Sequence, residues 1–105
     1  MQVRTYSSGN QQVTLGLSGS LLFSDYEAFT DCYKYIDNAK SAHVDLSQID
    51  DIDVSGIAML LLLKEFATEH RCQITFNNAH SEEVRRLFDI AGLGKQLNLS
   101  YGLKH

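Results

Sequence analysis

The sequence predicts a single α/β domain over residues 1–105, with a mixed four- to five-stranded sheet and helices packed mainly on one face. Three observations support this fold class. Strand-like and helix-like segments alternate along the chain, which favours parallel strands joined by helical crossovers. No proline and no long glycine- or serine-rich stretch divides the 105 residues. An apolar content of 44% is ordinary for a domain with one core.

Two strands are predicted at the start of the chain. Residues 12–17 read QVTLGL and alternate apolar with polar or small side chains, which is the period of a strand with one buried face. Residues 3–6 are expected to pair with that strand, with residues 7–10 as the turn. Further strands are predicted at residues 42–46, 72–76 and 97–100.

Two amphipathic helices are predicted on either side of the central segment. Ser24 is expected to cap the first, because Glu27 three residues later completes a capping box. The last helix is expected to begin at the capping residue Ser81 and to end at Gly92, which suits a left-handed C′ position.

The central helix is predicted to open at Ser55-Gly56 and to run to about His70. Its first two turns read IAMLLLL and are expected to be buried on most sides. Residues 47–53 before it are expected to form a short acidic loop. Serine is a preferred N-cap residue in any protein, so a cap alone is the simplest interpretation of Ser55 from local chemistry.

The net charge of −4 comes from one part of the chain. Residues 41–63 contain four aspartates and no lysine or arginine, and these four account for the whole acidic excess. They are Asp45, Asp50, Asp51 and Asp53. An acidic surface disfavours nucleic acid as a partner, and no basic stripe argues otherwise. For Asp50 and Asp51, a solvated loop is as good an interpretation as a binding role.

Several function classes find no support in the residue pattern. Cys32 and Cys72 are far apart and are expected to be reduced and buried. The first ten residues lack the apolar region of a signal peptide, and the longest apolar run, residues 57–63, is far too short to span a membrane. We therefore expect a cytoplasmic protein without membrane insertion.

Catalysis is not expected either. The four histidines are scattered and show no metal-ligand spacing, and the chain has no GxSxG motif and no Gly-rich phosphate loop. We expect no metal and no cofactor. An esterase-like enzyme using Ser55 is the least favoured function.

An ordered set of short motifs carries a family resemblance. DLS at residues 45–47 is followed by IDVSG at residues 52–56 and then by the apolar helix. GSL at residues 19–21 precedes this set, and a V-x-x-[LI]-[LF] pattern closing in a GL dipeptide follows at residues 84–93. The set resembles the STAS family, whose best-known members are anti-sigma-factor antagonists of bacterial partner switching. The chain departs from the family at Val54, where a small or hydroxylated residue is usual, and the C-terminal helix common in the family is expected to be missing or vestigial.

The resemblance implies a phosphorylation switch at Ser55. A partner serine kinase would modify Ser55, a serine phosphatase would reverse this, and the unmodified domain would bind the kinase or another anti-sigma-type effector. The resemblance also implies that Asp53 shapes the loop and contacts the kinase. The expected partner-contacting residues are Asp53, Val54, Gly56, Asp51 and Asp50.

Two further expectations complete the sequence-based interpretation. Gly56 is expected to let a kinase approach the Ser55 hydroxyl, so that Gly56→Val should fold but be phosphorylated slowly. The alternative function is a constitutive STAS accessory or scaffold subunit of a transporter or of a stress-sensing complex. Homodimerisation is left open.

Overall fold

Five strands form one mixed sheet whose spatial order equals the chain order. The computed structural model describes residues 1–7, 9–79, 86 and 99–101. The first pair of strands is antiparallel and every other neighbouring pair is parallel. The strands are β1 Gln2–Ser7, β2 Gln12–Leu21, β3 Ser41–Ile52, β4 Gln73–Ala79 and β5 Leu99–Tyr101. The predicted α/β class with a mixed sheet is confirmed.

A tight turn joins β1 to β2. The Gln12 N–H donates to the Gly9 carbonyl at 2.9 Å, and both Gly9 and Gln11 have positive φ angles, 68° and 61°. Glycine adopts this backbone conformation without a steric penalty. The strands expected at residues 3–6 and 12–17 are therefore present, although β2 continues to Leu21.

Helices fill the connections from β2 to β3 and from β3 to β4. A 3₁₀ turn, Phe23–Asp25, leads into α1 Tyr26–Phe29 and α2 Asp31–Asp37, and α3 Val54–Glu69 links β3 to β4. Both crossovers step across the sheet in the same direction. Residues of α1, α2 and α3 all belong to one buried cluster with the strands, so these helices pack on the same face of the sheet, as expected from the sequence.

The capping box predicted at Ser24 is wrong. Ser24 is exposed inside the 3₁₀ turn, and the N-cap residue of that turn is Leu22. The Asp25 Oδ2 accepts from the Leu22 N–H at 2.8 Å and from the Ser20 hydroxyl at 2.8 Å. A carboxylate has more acceptor sites than a hydroxyl, so Asp25 satisfies two donors at once and moves the helix start.

The acidic loop predicted over residues 47–53 is also wrong. β3 continues to Ile52 and stays paired with β2 as far as Leu21. Asp50 and Asp51 are consequently exposed residues of a strand rather than of a loop.

Two bulges explain why this part of β3 does not look like a strand in the sequence. One extra residue enters β3 between Asp45 and Gln48, and another enters between Ile49 and Asp51. At the first bulge, Asp45 Oδ1 accepts from the Ser47 N–H at 2.9 Å. Each extra residue breaks the period-two alternation from which a strand is recognised.

One apolar core lies between the sheet and the helices. Alternate residues of the strands supply half of it, and α2 and α3 supply most of the rest. Its largest fully buried side chains are Phe29, Phe76, Leu15, Leu17, Leu21, Ile36, Leu46, Ile49, Leu60 and Leu63. Cys32 and Cys72 are both buried free thiols, as expected.

The remaining sequence-based expectations fall near the end of the chain. The helix expected over residues 81–92 lies outside the described residues except for Arg86, which is helical and exposed. The last strand was expected over residues 97–100, and the described strand there is Leu99–Tyr101.

Candidate functional site

The candidate site lies where β2 and β3 end and α3 begins. The 3₁₀ turn after β2 and the first turn of α3 after β3 are joined at this point by a hydrogen bond between Phe23 and Asp53. In sheets with parallel strands, binding sites commonly lie at the carboxyl ends of strands, beside helix N-termini.

Asp53, rather than Ser55, is the N-cap of α3. The Asp53 backbone is extended, and its Oδ1 accepts from the Gly56 N–H at 2.8 Å. Its Oδ2 accepts from the Phe23 N–H at 3.2 Å. Aspartate is among the best N-cap residues, and its position three residues before Gly56 suits the bond that it makes. The N-cap role predicted for Ser55 is therefore wrong, and the Asp53 side chain shapes this corner of the molecule.

Ser55 is the second residue of α3 and is half-buried. Its hydroxyl makes no hydrogen bond to the described part of the chain. The residue before it, Val54, is 74% exposed. The first backbone N–H groups of a helix lack intrahelical partners and favour negative charge, whereas the Asp53 carboxylate opposes a second negative group.

Gly56 is buried and has a packing role. A Cβ added there would collide with the Leu21 carbonyl oxygen and would lie 2.8 Å from Cγ1 of Ile52. Glycine therefore lets the first turn of α3 pack directly on the ends of β2 and β3. This geometry argues against the expectation that Gly56→Val leaves the domain folded, because the valine side chain would have no space.

Four of the expected site residues lie at the start of α3, and the other two lie at the end of the preceding strand, β3. Asp53, Val54, Ser55 and Gly56 form one continuous turn, while Asp50 and Asp51 point outward at the end of β3. Among the described residues, neither of these two aspartates makes a side-chain hydrogen bond or ion pair.

Phe23 was missed by the sequence analysis. Its side chain is 74% exposed, and its N–H binds the N-cap of a helix thirty residues away. Its sequence context, LLFS, resembles the end of a buried strand, so nothing in the local pattern indicates exposure.

A second carboxylate organises the other side of the turn. Asp25 Oδ1 lies 3.1 Å from the Met1 ammonium, in addition to the two bonds from Leu22 and Ser20. The hydrogen bond from the Leu22 N–H, followed by that from Ser20, lowers the pKa of Asp25 below its usual 3.8. The turn that carries Phe23 is thus fixed by two carboxylates.

Two features are absent from the described part of the chain. No group of three or more histidine, cysteine or acidic side chains there is arranged to hold a metal ion. No helix within those residues has both the length and the apolar character needed to cross a membrane.

Comparison with known proteins decides the family. The family model described as "Mlab, STAS domain" matches residues 5–101. The chain belongs to the STAS domain family. The STAS chain is also 30% identical over 95 residues to the STAS-domain containing protein PA14_20770 of Pseudomonas aeruginosa strain UCBPP-PA14, covering 90% of this chain and 93% of that one.

Solved structures show the same STAS fold. An anti-sigma factor antagonist from Mycobacterium paratuberculosis superposes with a TM-score of 0.77 at 18% identity, covering 97% of this chain and 87% of that one. The anti-sigma factor antagonist SpoIIAA in its unphosphorylated form gives 0.75 at 16% identity, covering 97% and 89%. The resemblance inferred from the motifs is confirmed at the level of family and fold.

Proposed function

We propose that this STAS domain is a phosphorylation-switched regulatory protein, similar to an anti-sigma-factor antagonist. It binds a serine kinase or another anti-sigma-type effector while Ser55 is unmodified, and a serine phosphatase restores that state. It acts in the cytoplasm as a binding module and not as an enzyme. The observation that carries the proposal is the position of Ser55, half-exposed in the first turn of α3 beside the exposed side chain of Val54.

Phosphate on Ser55 would oppose binding for two physical reasons. It adds nearly two negative charges close to the Asp53 carboxylate. It also places a strongly hydrated group beside Val54, so a partner covering that residue must remove water from the phosphate. The fold itself would tolerate the change, because a helix N-terminus favours an anion.

The structural neighbours support this proposal. SpoIIAA is described as an anti-sigma factor antagonist in one solved structure and is phosphorylated in another. The second of these superposes on the present chain with a TM-score of 0.66. A phosphorylated state is thus compatible with this fold.

The test requires the partner itself. Proteins retained by the tagged wild-type chain from its native cell are identified by mass spectrometry, and the candidate kinase or effector is expressed and purified. Wild type, Ser55→Ala and Ser55→Asp are then titrated against it by calorimetry. We expect Ser55→Ala to bind like wild type and Ser55→Asp to bind at least about tenfold more weakly, a difference of about 1.4 kcal/mol.

Stability and charge are controlled separately. Since Asp53 is the cap, Ser55→Ala should change the free energy of unfolding by no more than about 0.5 kcal/mol. Ser7→Asp adds the same charge on the exposed strand β1 and should leave the affinity unchanged. If Ser55→Asp binds like wild type, the switch is refuted and the constitutive accessory or scaffold function takes its place.

A further inference from the structure

We infer that Phe23 and Val54 form one apolar anchor, held together by the Asp53 carboxylate, that inserts into an apolar pocket with a basic rim on a partner protein. This inference rests on the proposed function, because it defines the surface through which the partner is bound. It adds a residue from outside the motif segment and states the chemistry of the partner's surface.

The two anchor residues are unusually exposed for large apolar side chains. Each is 74% exposed, the highest value among the exposed large apolar residues of the described chain. Ala58 and Leu62 follow Val54 at intervals of four along α3 and are also exposed. Residues four apart lie on one helix face, so an apolar stripe extends from the anchor along α3. Contiguous exposed apolar surface commonly marks a protein-binding site, and aromatic residues dominate the affinity of such sites.

Asp53 fixes the two parts of the anchor relative to each other. One carboxylate oxygen accepts from the Phe23 N–H and the other from the Gly56 N–H, so a single side chain joins segments that are thirty residues apart. The buried contact of Gly56 with the Leu21 carbonyl limits movement of α3 against the end of β2. An anchor that is already ordered loses less conformational entropy on binding.

The negative charge around the anchor favours a partner protein whose apolar pocket has a basic rim. The adjoining segments carry exposed acids, Glu27 in α1 and Asp50 and Asp51 at the end of β3. Residues 41–63 contain no lysine or arginine to offset them. A second copy would bring like charges together, and anionic lipid and nucleic acid would be repelled in the same way. Basic residues around an apolar pocket would instead match this surface and accelerate association.

The experiment uses the purified partner identified with the wild-type chain. Phe23→Ala and Val54→Ala are titrated against it, with Tyr6→Ala as the matched control, since Tyr6 is also exposed but lies on β1. We expect each anchor variant to lose at least about tenfold in affinity and the control to stay within about twofold. The association rate of wild type should fall as salt is raised.

The role of Asp53 as a positioning residue is tested by a double-mutant cycle. Asp53→Ala should weaken binding in the wild-type background but have little further effect in the Phe23→Ala background, because its action is exerted through Phe23. Circular dichroism of each variant establishes that it is folded. Additive losses would refute the clamp.

The remaining outcomes separate the two proposals. If Phe23→Ala binds like wild type while Ser55→Asp binds weakly, the anchor is refuted and the switch stands. If Phe23→Ala weakens binding while Ser55→Asp does not, the anchor stands and the switch fails. Failure of the wild type to retain any protein refutes both. Self-association, or binding to phosphatidylglycerol vesicles, that is abolished by Phe23→Ala would overturn the assigned occupant.

Discussion

Gly56 follows the candidate phosphorylation site directly, and two roles were open to it. A kinase could need the space that a missing side chain leaves, or the fold could need it. The structure supports the second role, because a Cβ at Gly56 would point at the Leu21 carbonyl oxygen rather than at solvent. The sequence shows that Gly56 lacks a side chain but does not show which neighbour occupies that side.

The first prediction is that Gly56→Ala destabilises the domain by about 3 kcal/mol or more, because overpacking against backbone cannot be relieved by a side-chain rotation. Urea denaturation followed by circular dichroism measures the change. Gly16→Ala is the matched control, since its Cβ would meet nothing closer than 3.9 Å and its φ is not positive. Equal midpoints for the two variants would contradict the packing role.

The residues around Ser55 show which features of the site can be predicted from the local sequence. The motif predicted that the central helix begins near Ser55, and α3 does begin there, at Val54. It did not identify the cap, because Asp53 and Ser55 are both good capping residues and only the backbone angles select between them. The exposure of Phe23 was not predicted, because the local sequence does not show that its N–H binds a segment thirty residues away.

At the scale of elements, segments with a regular apolar–polar alternation were predicted correctly as strands, whereas irregular segments were not. β2 and the first half of β3 alternate cleanly and were placed correctly. The second half of β3 contains two bulges, and the turn after β2 is capped by Asp25 instead of Ser24. The bulges depend on the pairing of β3 with β2. The Asp25 cap depends on Ser20, Leu22 and the Met1 ammonium all lying within reach of its carboxylate.

The turn around Asp25 yields a pH prediction. The folded-state pKa of Asp25 lies below its usual 3.8, because the ionised carboxylate accepts hydrogen bonds from the Leu22 N–H and Ser20. The ionised form therefore stabilises the fold above pH 3.8, and this contribution is lost as the pH falls through the folded-state pKa. Asp25→Asn should lower the free energy of unfolding near neutral pH, and its difference from wild type should shrink below pH 3.8.

Urea titrations of both proteins across the acid range measure this difference. Glu27→Gln serves as the control, since Glu27 is exposed and its side chain makes no hydrogen bond within the described residues. A difference between wild type and Asp25→Asn that is constant at every pH would show that the Asp25 carboxylate acts through shape alone.

At the scale of the whole molecule, the topology follows from a simple rule. Each parallel strand is added beside the previous one, so the described crossovers lie on one face and bury the same side of the sheet. The other side carries polar residues, such as His43, whose Nδ1 lies 3.0 Å from the Thr75 hydroxyl. This division was predictable because it needs only the order of elements and the polarity of alternate strand residues.

The core that results can be probed through the two thiols. Cys32 in α2 and Cys72 just before β4 are 0% and 4% exposed. Burial raises the pKa of both thiols, that of Cys32 to about 12 with a further contribution from Asp31. Because the thiolate is the reactive form, both groups should be inert to alkylation in the native state.

The last prediction is that Cys32 and Cys72 become reactive together. They lie in different elements but in the same core cluster, so exposing either one to reagent requires that cluster to open. Iodoacetamide labelling across a urea series, with the two peptides quantified by mass spectrometry, should give equal midpoints that coincide with the loss of circular dichroism. Fully denatured protein provides the rate for accessible thiols. Labelling of either cysteine in native buffer, at a rate that urea does not change, would instead show that its element opens locally while the rest of the sheet stays intact.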